Sequence, residues 1–217
     1  MSSDQIISDF FYNSNLPGYL FINEYPVFGI VWNIILLLVP LLIFKVLVRY
    51  YNLTKIEKNT QKVVFGFWFL LWLLFVPNSA YIMTDVRHLM NYCPYSFYRV
   101  CVKNAWMIIV FFTYALVGWI FFVHLLRQMK NLLILIFNKT VANSFIVGII
   151  PLISLGVLLG LVNRWNSWEM FYFPGLIMKD ALLYLTEWNY FINFLVFTVF
   201  FYVLYFLGSF LLKEDKK

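Results

Sequence analysis

The sequence predicts an all-α membrane protein, a polytopic transmembrane helical bundle of about five spans with further helices at the interface. Of its 217 residues, 63% are apolar and 12% are charged, whereas soluble domains average roughly half apolar and about a quarter charged residues. The apolar residues form runs of about 20, the length that an α-helix needs to cross a hydrocarbon core about 30 Å thick. Only short polar links separate these runs. Residues 1–217 are therefore predicted to form a single transmembrane domain.

Five runs satisfy this length requirement and define the predicted spans. The second run is the least regular, because its continuous apolar part, residues 63–76, is too short by itself and must continue beyond Pro77. Proline lacks a backbone donor and crowds the preceding turn, so a kink is expected there. The predicted spans are 27–48, 63–83, 105–126, 145–162 and 190–212.

Three other segments are predicted to lie at the membrane surface. Residues 10–22 are aromatic but lack the basic start and continuous apolar stretch of a signal peptide. Residues 132–137 are too short to cross and follow Arg127 and Lys130, as expected of an amphipathic extension in the interface. Residues 170–188 mix aromatic, apolar and charged side chains, which predicts either an interfacial flap over the ends of spans two and four or a passive loop.

Basic residues predict the orientation of the bundle. Short loops rich in lysine and arginine face the cytoplasm, which places the N-terminus outside and the C-terminus in the cytoplasm. The net charge of +6 is therefore a topology signal, and the basic residues are too scattered for a nucleic-acid-binding patch. The expected partner is the lipid bilayer of the cell membrane, with no nucleic acid. The cytoplasmic basic residues are Lys45, Arg49, Lys55, Lys58, Lys62, Arg127, Lys130, Lys139, Lys213, Lys216 and Lys217.

Cys93 and Cys101 share the predicted outer loop between spans two and three. Disulfides form in oxidising compartments outside the cytoplasm, so a bridge is open to this pair. Two free or buried thiols fit the sequence equally well, since this spacing has no metal-binding signature.

A polar motif, residues 77–88, closes the second span. If the helix continues beyond its proline, side chains at intervals of three and four residues form one stripe, and Arg87 points the other way. The stripe consists of Asn78, Tyr81, Asp85 and His88. Asp85 and His88 are spaced to hydrogen-bond, an arrangement in which a carboxylate raises the basicity of an imidazole. Asp85 and His88 together are the candidate catalytic base, and Asn78 and Tyr81 are candidate substrate-binding groups. The alternative is that all four only solvate a helix end.

Metal binding would need more ligands than this end of the protein supplies. Asp85 and His88 could contribute two and Glu169 a third, but the other histidine, His124, lies near the opposite membrane face in this topology. No metal is predicted. No cofactor is predicted either, because the chain has no phosphate-binding glycine loop, dinucleotide fingerprint, zinc-protease motif or serine-hydrolase motif.

A second polar motif, residues 163–169, closes the fourth span. The candidate binding groups for a phosphate or sugar are Arg164, Asn166, Ser167 and Glu169. An ion pair of Arg164 with Asp85 or Glu169 would hold the two motifs together. The alternative is an ordinary membrane edge, with Trp165 and Trp168 as anchors and a snorkelling arginine.

Together the two motifs resemble an uncharacterised family of bacterial multi-pass membrane proteins catalogued as domain of unknown function 1361. The first family motif, Pro-Asn-x-x-Tyr-Ile-x-Thr-Asp-x-x-His-Leu, is similar to the run from Pro77 to Leu89. The second, Arg-Trp-Asn-Ser-Trp-Asp, is similar to the run from Arg164 to Glu169, where glutamate replaces the last aspartate. The resemblance covers most of the chain. It implies a multi-pass membrane fold and no assigned reaction.

Three functions are compatible with these features. The first is a polar site at the extracytoplasmic face that binds or processes a lipid headgroup or another small anionic group, with Arg164 on the anion and Asp85 and His88 as the base. The second is a non-enzymatic assembly or partner subunit, in which Gly156 and Gly160 let another membrane protein approach span four closely. The third, transport, is the least supported, because spans one, three and five have no charge well inside the bilayer.

Overall fold

The computed structural model of the chain describes residues 21–22, 25–54, 58–92 and 105–212, and the side chains of residues 29–54, 58–87 and 105–212. Cys93, Cys101 and most of the predicted surface segment at residues 10–22 lie outside the described residues. The His88 side chain does as well, so its predicted contact with Asp85 stays a prediction.

The described residues are almost entirely helical, which confirms the predicted all-α class. A minimal antiparallel pair of two-residue strands precedes the first helix, with Phe21 opposite Pro26. In chain order the elements are β1 (Phe21–Ile22), β2 (Tyr25–Pro26), α1 (Val27–Thr54), α2 (Asn59–Phe75), α3 (Pro77–Tyr81), the 3-10 helix η1 (Ile82–Tyr92), α4 (Ala105–Ile136), α5 (Lys139–Leu161), the 3-10 helix η2 (Ser167–Phe171), α6 (Pro174–Thr186) and α7 (Trp188–Leu211).

Within the residues that the structure describes, five segments are long and apolar enough to cross a membrane, as expected of a multi-pass membrane protein. Each contains most of one predicted span, and several extend further because polar residues continue the helices beyond the apolar runs. Asn138, for example, caps α5 by accepting a hydrogen bond from the Val141 backbone at 2.9 Å. The five segments are Gly29–Thr54, Asn59–Arg87, Ala105–Ile136, Lys139–Leu161 and Trp188–Leu211.

The prediction that residues 132–137 form a separate interfacial extension is wrong. Helix α4 continues through these residues and ends at Ile136. Arginine and lysine are good helix formers, so Arg127 and Lys130 do not interrupt the helix. Continuation also buries Leu132 and Leu133 in the main core.

Helix α2 ends at Phe75, two residues before Pro77, as the predicted kink requires. Pro77 occupies the first turn of α3, where its missing N–H is not needed. Beyond Tyr81 the chain tightens into η1, which the α-helical pattern did not predict. Eleven residues are long for a 3-10 helix.

Close helix contacts set the position of this broken span inside the bundle. α3 packs against α5 and α4, and η1 packs along α4. A Cβ added to Gly156 would lie 2.8 Å from Pro77 Cγ, and one added to Gly160 would lie 3.2 Å from Tyr81 Cε2. The glycine face of α5 is therefore filled from within the chain.

The core is apolar and centred on α2, α4, α5 and α7. Trp72, Phe122 and Phe201 are fully buried in it. Many apolar side chains face outward instead, among them Ile109, Val147 and Val199. Such an outward apolar surface suits lipid contact.

Candidate functional site

The two polar motifs meet at one end of the bundle. Asn78 Nδ2 in α3 donates a hydrogen bond to Ser167 Oγ in η2 at 3.3 Å. Trp32 of α1 packs edge-on against Trp168, with ring centroids 6.2 Å apart. Helices α1 and α3 and the 3-10 helix η2 thus meet at a common space.

The 3-10 geometry of η1 groups the first motif differently from the predicted stripe. Tyr81 and Arg87 are six residues apart, which is two turns at about 3.0 residues per turn, so they share a face; at about 3.6 residues per turn they would not. Arg87 Nη2 donates to Tyr81 Oη at 3.2 Å, and the guanidinium carbon lies 5.9 Å from the Tyr81 ring centroid. The prediction that Arg87 points away from the motif is wrong for this reason.

Asp85 is almost completely buried, with 1% of its surface exposed. Asn33 Nδ2 of α1 donates to Asp85 Oδ2 at 2.9 Å, so the first span contributes a polar group to the site. The positive charges of Arg87 and Arg164 both act on this carboxylate. A buried carboxylate needs such partners, because burial without them is strongly unfavourable.

Arg164 follows the end of α5 in the left-handed conformation, with φ 63°. Glycine is the usual residue there, because a Cβ makes positive φ unfavourable. The turn lets the Trp165 backbone donate to the Leu159 carbonyl at 3.1 Å. The Arg164 side chain is exposed, and it forms no hydrogen bond or ion pair in the part of the chain that the structure describes. The predicted ion pair with Asp85 or Glu169 is therefore not formed.

Glu169 is tied into the backbone of η2. Its Oε2 accepts from the Asn166 backbone at 2.6 Å and from Asn166 Nδ2 at 3.1 Å, which completes a capping box. The carboxylate is 5% exposed. The structure therefore places Glu169 under the site, as a support for Asn166.

Polar contacts attach α6 to the end of α5. Asp180 Oδ2 accepts from Trp165 Nε1 at 2.7 Å and from Asn163 Nδ2 at 3.2 Å. Tyr184 Oη donates to Asn163 Oδ1 at 2.9 Å, and burial raises the pKa of Tyr184 to about 12, so the phenol stays protonated. The main contacts of α6 are with α5, α7 and η2. Helix α6 therefore covers spans four and five. The sequence had predicted a flap over spans two and four.

A cavity of about 1000 Å³ lies between the two motifs and continues down the bundle. Its upper part is polar and is lined by Asn33, Asn78, Tyr81, Asp85, Arg87, Arg164, Asn166 and Ser167. Its lower part is apolar and runs between α2 and α5. There, Phe67, Leu70 and Leu152 are each more than half exposed, so the cavity also opens sideways, toward the surface that faces lipid.

The cavity brings together most of the predicted site residues and adds others. Asn78, Tyr81, Asp85 and Arg164 line it together with Asn166 and Ser167, whereas Glu169 is not among its lining residues. Sequence reasoning missed Asn33 and Arg87. Asn33 could have been found as an isolated amide in an otherwise apolar span. Within the described residues, no three histidine, cysteine or acidic side chains are grouped to hold a metal ion.

Comparison with known proteins identifies a family and no activity. No curated protein and no solved structure matches the chain. The family described as "Protein of unknown function (DUF1361)" matches residues 32–205, a range that includes both polar motifs and every residue named for the cavity. The chain belongs to this family of unknown function.

Proposed function

We propose that this protein binds an anionic phospholipid at the extracytoplasmic membrane face, with the headgroup in the polar part of the cavity and an acyl chain in the apolar part. The observation that supports the proposal most is the cavity itself, which is polar at one end, apolar at the other and open to the side. A water-soluble anion would leave the apolar part of the cavity unoccupied. A phospholipid matches both parts.

The charges of the polar part suit a phosphodiester. Arg87 and Arg164 are the described lining residues that carry a positive charge, and Asp85 is the one described acid. Their sum is one positive charge, the complement of one phosphodiester. Guanidinium groups bind phosphate oxygens through paired hydrogen bonds. The Arg164 guanidinium forms no hydrogen bond or ion pair within the described chain, although its charge also acts on the Asp85 carboxylate.

The remaining polar groups suit a headgroup that carries hydroxyls. Asn78, Asn166 and Ser167 offer amide and hydroxyl donors and acceptors, and the ionised Asp85 carboxylate acts only as an acceptor. A glycerol or sugar headgroup would use all of them. Proton transfer by Asp85 and His88, which would turn binding into processing, stays a prediction.

The apolar part has the dimensions of an acyl-chain groove. From Phe67 to Pro77 the wall of α2 and α3 rises roughly 15 Å, and Leu152 and Leu155 face it from α5. This length is about half of a hydrocarbon core. A lipid could therefore stay at its normal depth in one leaflet while it occupies the cavity.

The test is lipid selectivity of the full chain in nanodiscs that contain phosphatidylglycerol and phosphatidylcholine. Spin-labelled lipids report how much of each the protein immobilises, and wild type should prefer phosphatidylglycerol. Arg164→Gln should reduce that preference about tenfold, as expected for loss of a charge-assisted pair. Lys179→Gln is the matched control, since Lys179 is exposed near the same end of the bundle and does not line the cavity. An equal effect of both variants would contradict the proposal.

A second pair of variants separates a lipid from a free anion. Leu155→Trp fills the apolar part and should reduce immobilisation of phosphatidylglycerol, whereas Leu195→Trp, at an exposed position on α7, should not. If glycerophosphoglycerol without acyl chains binds equally well to wild type, the ligand is a soluble phosphodiester and the lipid proposal fails.

The assembly function is less favoured than lipid binding. It required the Gly156 and Gly160 face of α5 to receive another protein, but Pro77 and Tyr81 of this chain already fill that face. We also propose the orientation with the N-terminus outside and the C-terminus in the cytoplasm, from the distribution of basic residues.

A further inference from the structure

The opposite end of the bundle contains a second cavity, of about 790 Å³, between α1 and α4. We call it the basic cleft. Lys45 and Arg49 lie one helical turn apart on α1, and His124 and Gln128 lie one turn apart on α4, so the two polar pairs face the same space. Among the described residues that line the cleft, none is acidic.

The basic cleft is separate from the candidate site described above. Asn33 and Lys45 are both on α1, twelve residues apart, which corresponds to roughly 18 Å along the helix. The lining residues of the two cavities do not overlap. A ligand in one cavity therefore leaves the other accessible.

The basic side chains of the cleft have no hydrogen-bonding or ion-pairing partner within the described chain. Lys45, Arg49 and His124 are exposed, and none of them forms a hydrogen bond or ion pair there. A lysine or arginine near a helix end can bond the last carbonyls of a helix, or pair with an acid one turn away. Arg127, on the same helix as His124, does so by donating to the Leu212 carbonyl.

Apolar side chains form the walls of the cleft between the charges. Leu41, Phe44 and Val48 contribute from α1, and Ile120 and Phe121 contribute from α4. A cavity with an apolar wall and two adjacent cations resembles the basic pockets between membrane helices that hold anionic lipid headgroups on the cytoplasmic side. The basic residues of the chain predict this same side as cytoplasmic.

We infer that the basic cleft binds the headgroup of an anionic phospholipid from the cytoplasmic leaflet, with Lys45 and Arg49 on the phosphate. Gln128 and Asn52 line the same cleft and supply further donors to the phosphate oxygens. The charge of the cleft is complementary to such a headgroup, and its apolar wall accepts the first carbons of a chain. This site is independent of the proposed function.

The experiment measures immobilised spin-labelled phosphatidylglycerol relative to phosphatidylcholine in nanodiscs that contain the full chain. Every protein in the comparison carries Arg164→Gln, so that the cavity at the other end contributes little preference. The variant Lys45→Gln with Arg49→Gln should lower the selectivity about fivefold for each charge removed. The control is Lys62→Gln with Lys139→Gln, which removes two exposed charges from the same membrane side without altering the cleft.

Three results would overturn the inference. The first is absence of selectivity in the Arg164→Gln parent, and the second is an equal loss in the two double variants, which would indicate general surface charge. The third is complete displacement of the labelled lipid by inorganic phosphate, which would indicate a free anion as the ligand. Arg49→Gln alone should lower the selectivity about fivefold, as expected for removal of one of the two charges.

Discussion

Arg164 combines a strained backbone with a charged side chain that forms no hydrogen bond or ion pair in the described chain. A non-glycine residue at positive φ costs of order 1–3 kcal/mol, and such strain is concentrated at ligand-binding sites. The turn points the exposed arginine into the polar part of the cavity. At the scale of single residues, the proposed function predicts that stability and binding oppose each other at this position.

Arg164→Gly should therefore make the protein more stable and less selective. Glycine adopts φ 63° without a Cβ clash, so the free energy of unfolding should rise by about 1 kcal/mol. Phosphatidylglycerol selectivity should fall as in Arg164→Gln. Thermal unfolding in nanodiscs measures the first effect, and Arg164→Ala, which keeps the strain, should show no gain in stability. A glycine variant that melts below wild type would contradict this account.

Asn33 supports the buried Asp85 carboxylate, and its removal should destabilise the fold. Asn33→Leu leaves Asp85 without its hydrogen bond from α1 and should lower the free energy of unfolding by about 1–3 kcal/mol. Asn193→Leu is the control, because Asn193 is exposed and bonds only to Asn189 of its own helix. Equal stability of the two leucine variants would show that the α1 contact is unimportant.

The sequence predicted which segments form the site better than it predicted the individual contacts. Asn78 and Ser167 were assigned to motifs that the structure does join. Asn33 was not assigned, because periodicity within one span cannot tell which side chain of another span faces it. Arg87 was assigned to the wrong side of the helix. Its direction depends on whether the helix has about 3.0 or about 3.6 residues per turn.

At the scale of elements, apolar length predicted α1, α4, α5 and α7 well, because membrane thickness sets how long a spanning helix must be. It could not predict η1. Tight packing against α4 accompanies this 3-10 helix: a Cβ added to Gly118 would lie 2.9 Å from the Ser79 carbonyl oxygen and 3.0 Å from Ile82 Cγ2. This contact joins residues that are far apart in sequence, so no local sequence pattern predicts it.

The contact between α5 and α3 predicts opposite effects for two glycines of the same helix. Gly156→Ala places a methyl group 2.8 Å from Pro77 Cγ and should lower the free energy of unfolding by about 1–3 kcal/mol through overpacking. Gly148→Ala meets nothing within 4 Å and should be neutral or stabilise by up to about 1 kcal/mol through helix propensity. The comparison requires thermal unfolding of both variants. If Gly148→Ala were the less stable of the two, the α5–α3 contact would be refuted.

At the scale of the whole molecule, an odd number of spans, such as the five among the described residues, would place the two termini on opposite sides of the membrane. The basic residues favour the C-terminus in the cytoplasm. Green fluorescent protein fused after Lys217 should therefore fluoresce in a bacterial host, and alkaline phosphatase at the same position should be inactive. Alkaline phosphatase fused after Phe173, in a chain truncated there, should be active. The reverse pattern would invert the orientation and exchange the leaflets assigned to the two cavities.

If the proposed lipid binding is correct, the side opening at Phe67, Leu70 and Leu152 would determine how the ligand reaches the polar part of the cavity. An amphiphile would enter the cavity by lateral diffusion within its leaflet. The occupancy of the cavity would therefore depend on the mole fraction of the amphiphile in the membrane and not on its concentration in water. Detergent tails would enter through the same opening when the protein is extracted into micelles. A purification that replaces native lipid with detergent would therefore empty the groove, and a polymer that excises the protein with its surrounding membrane would retain the occupant.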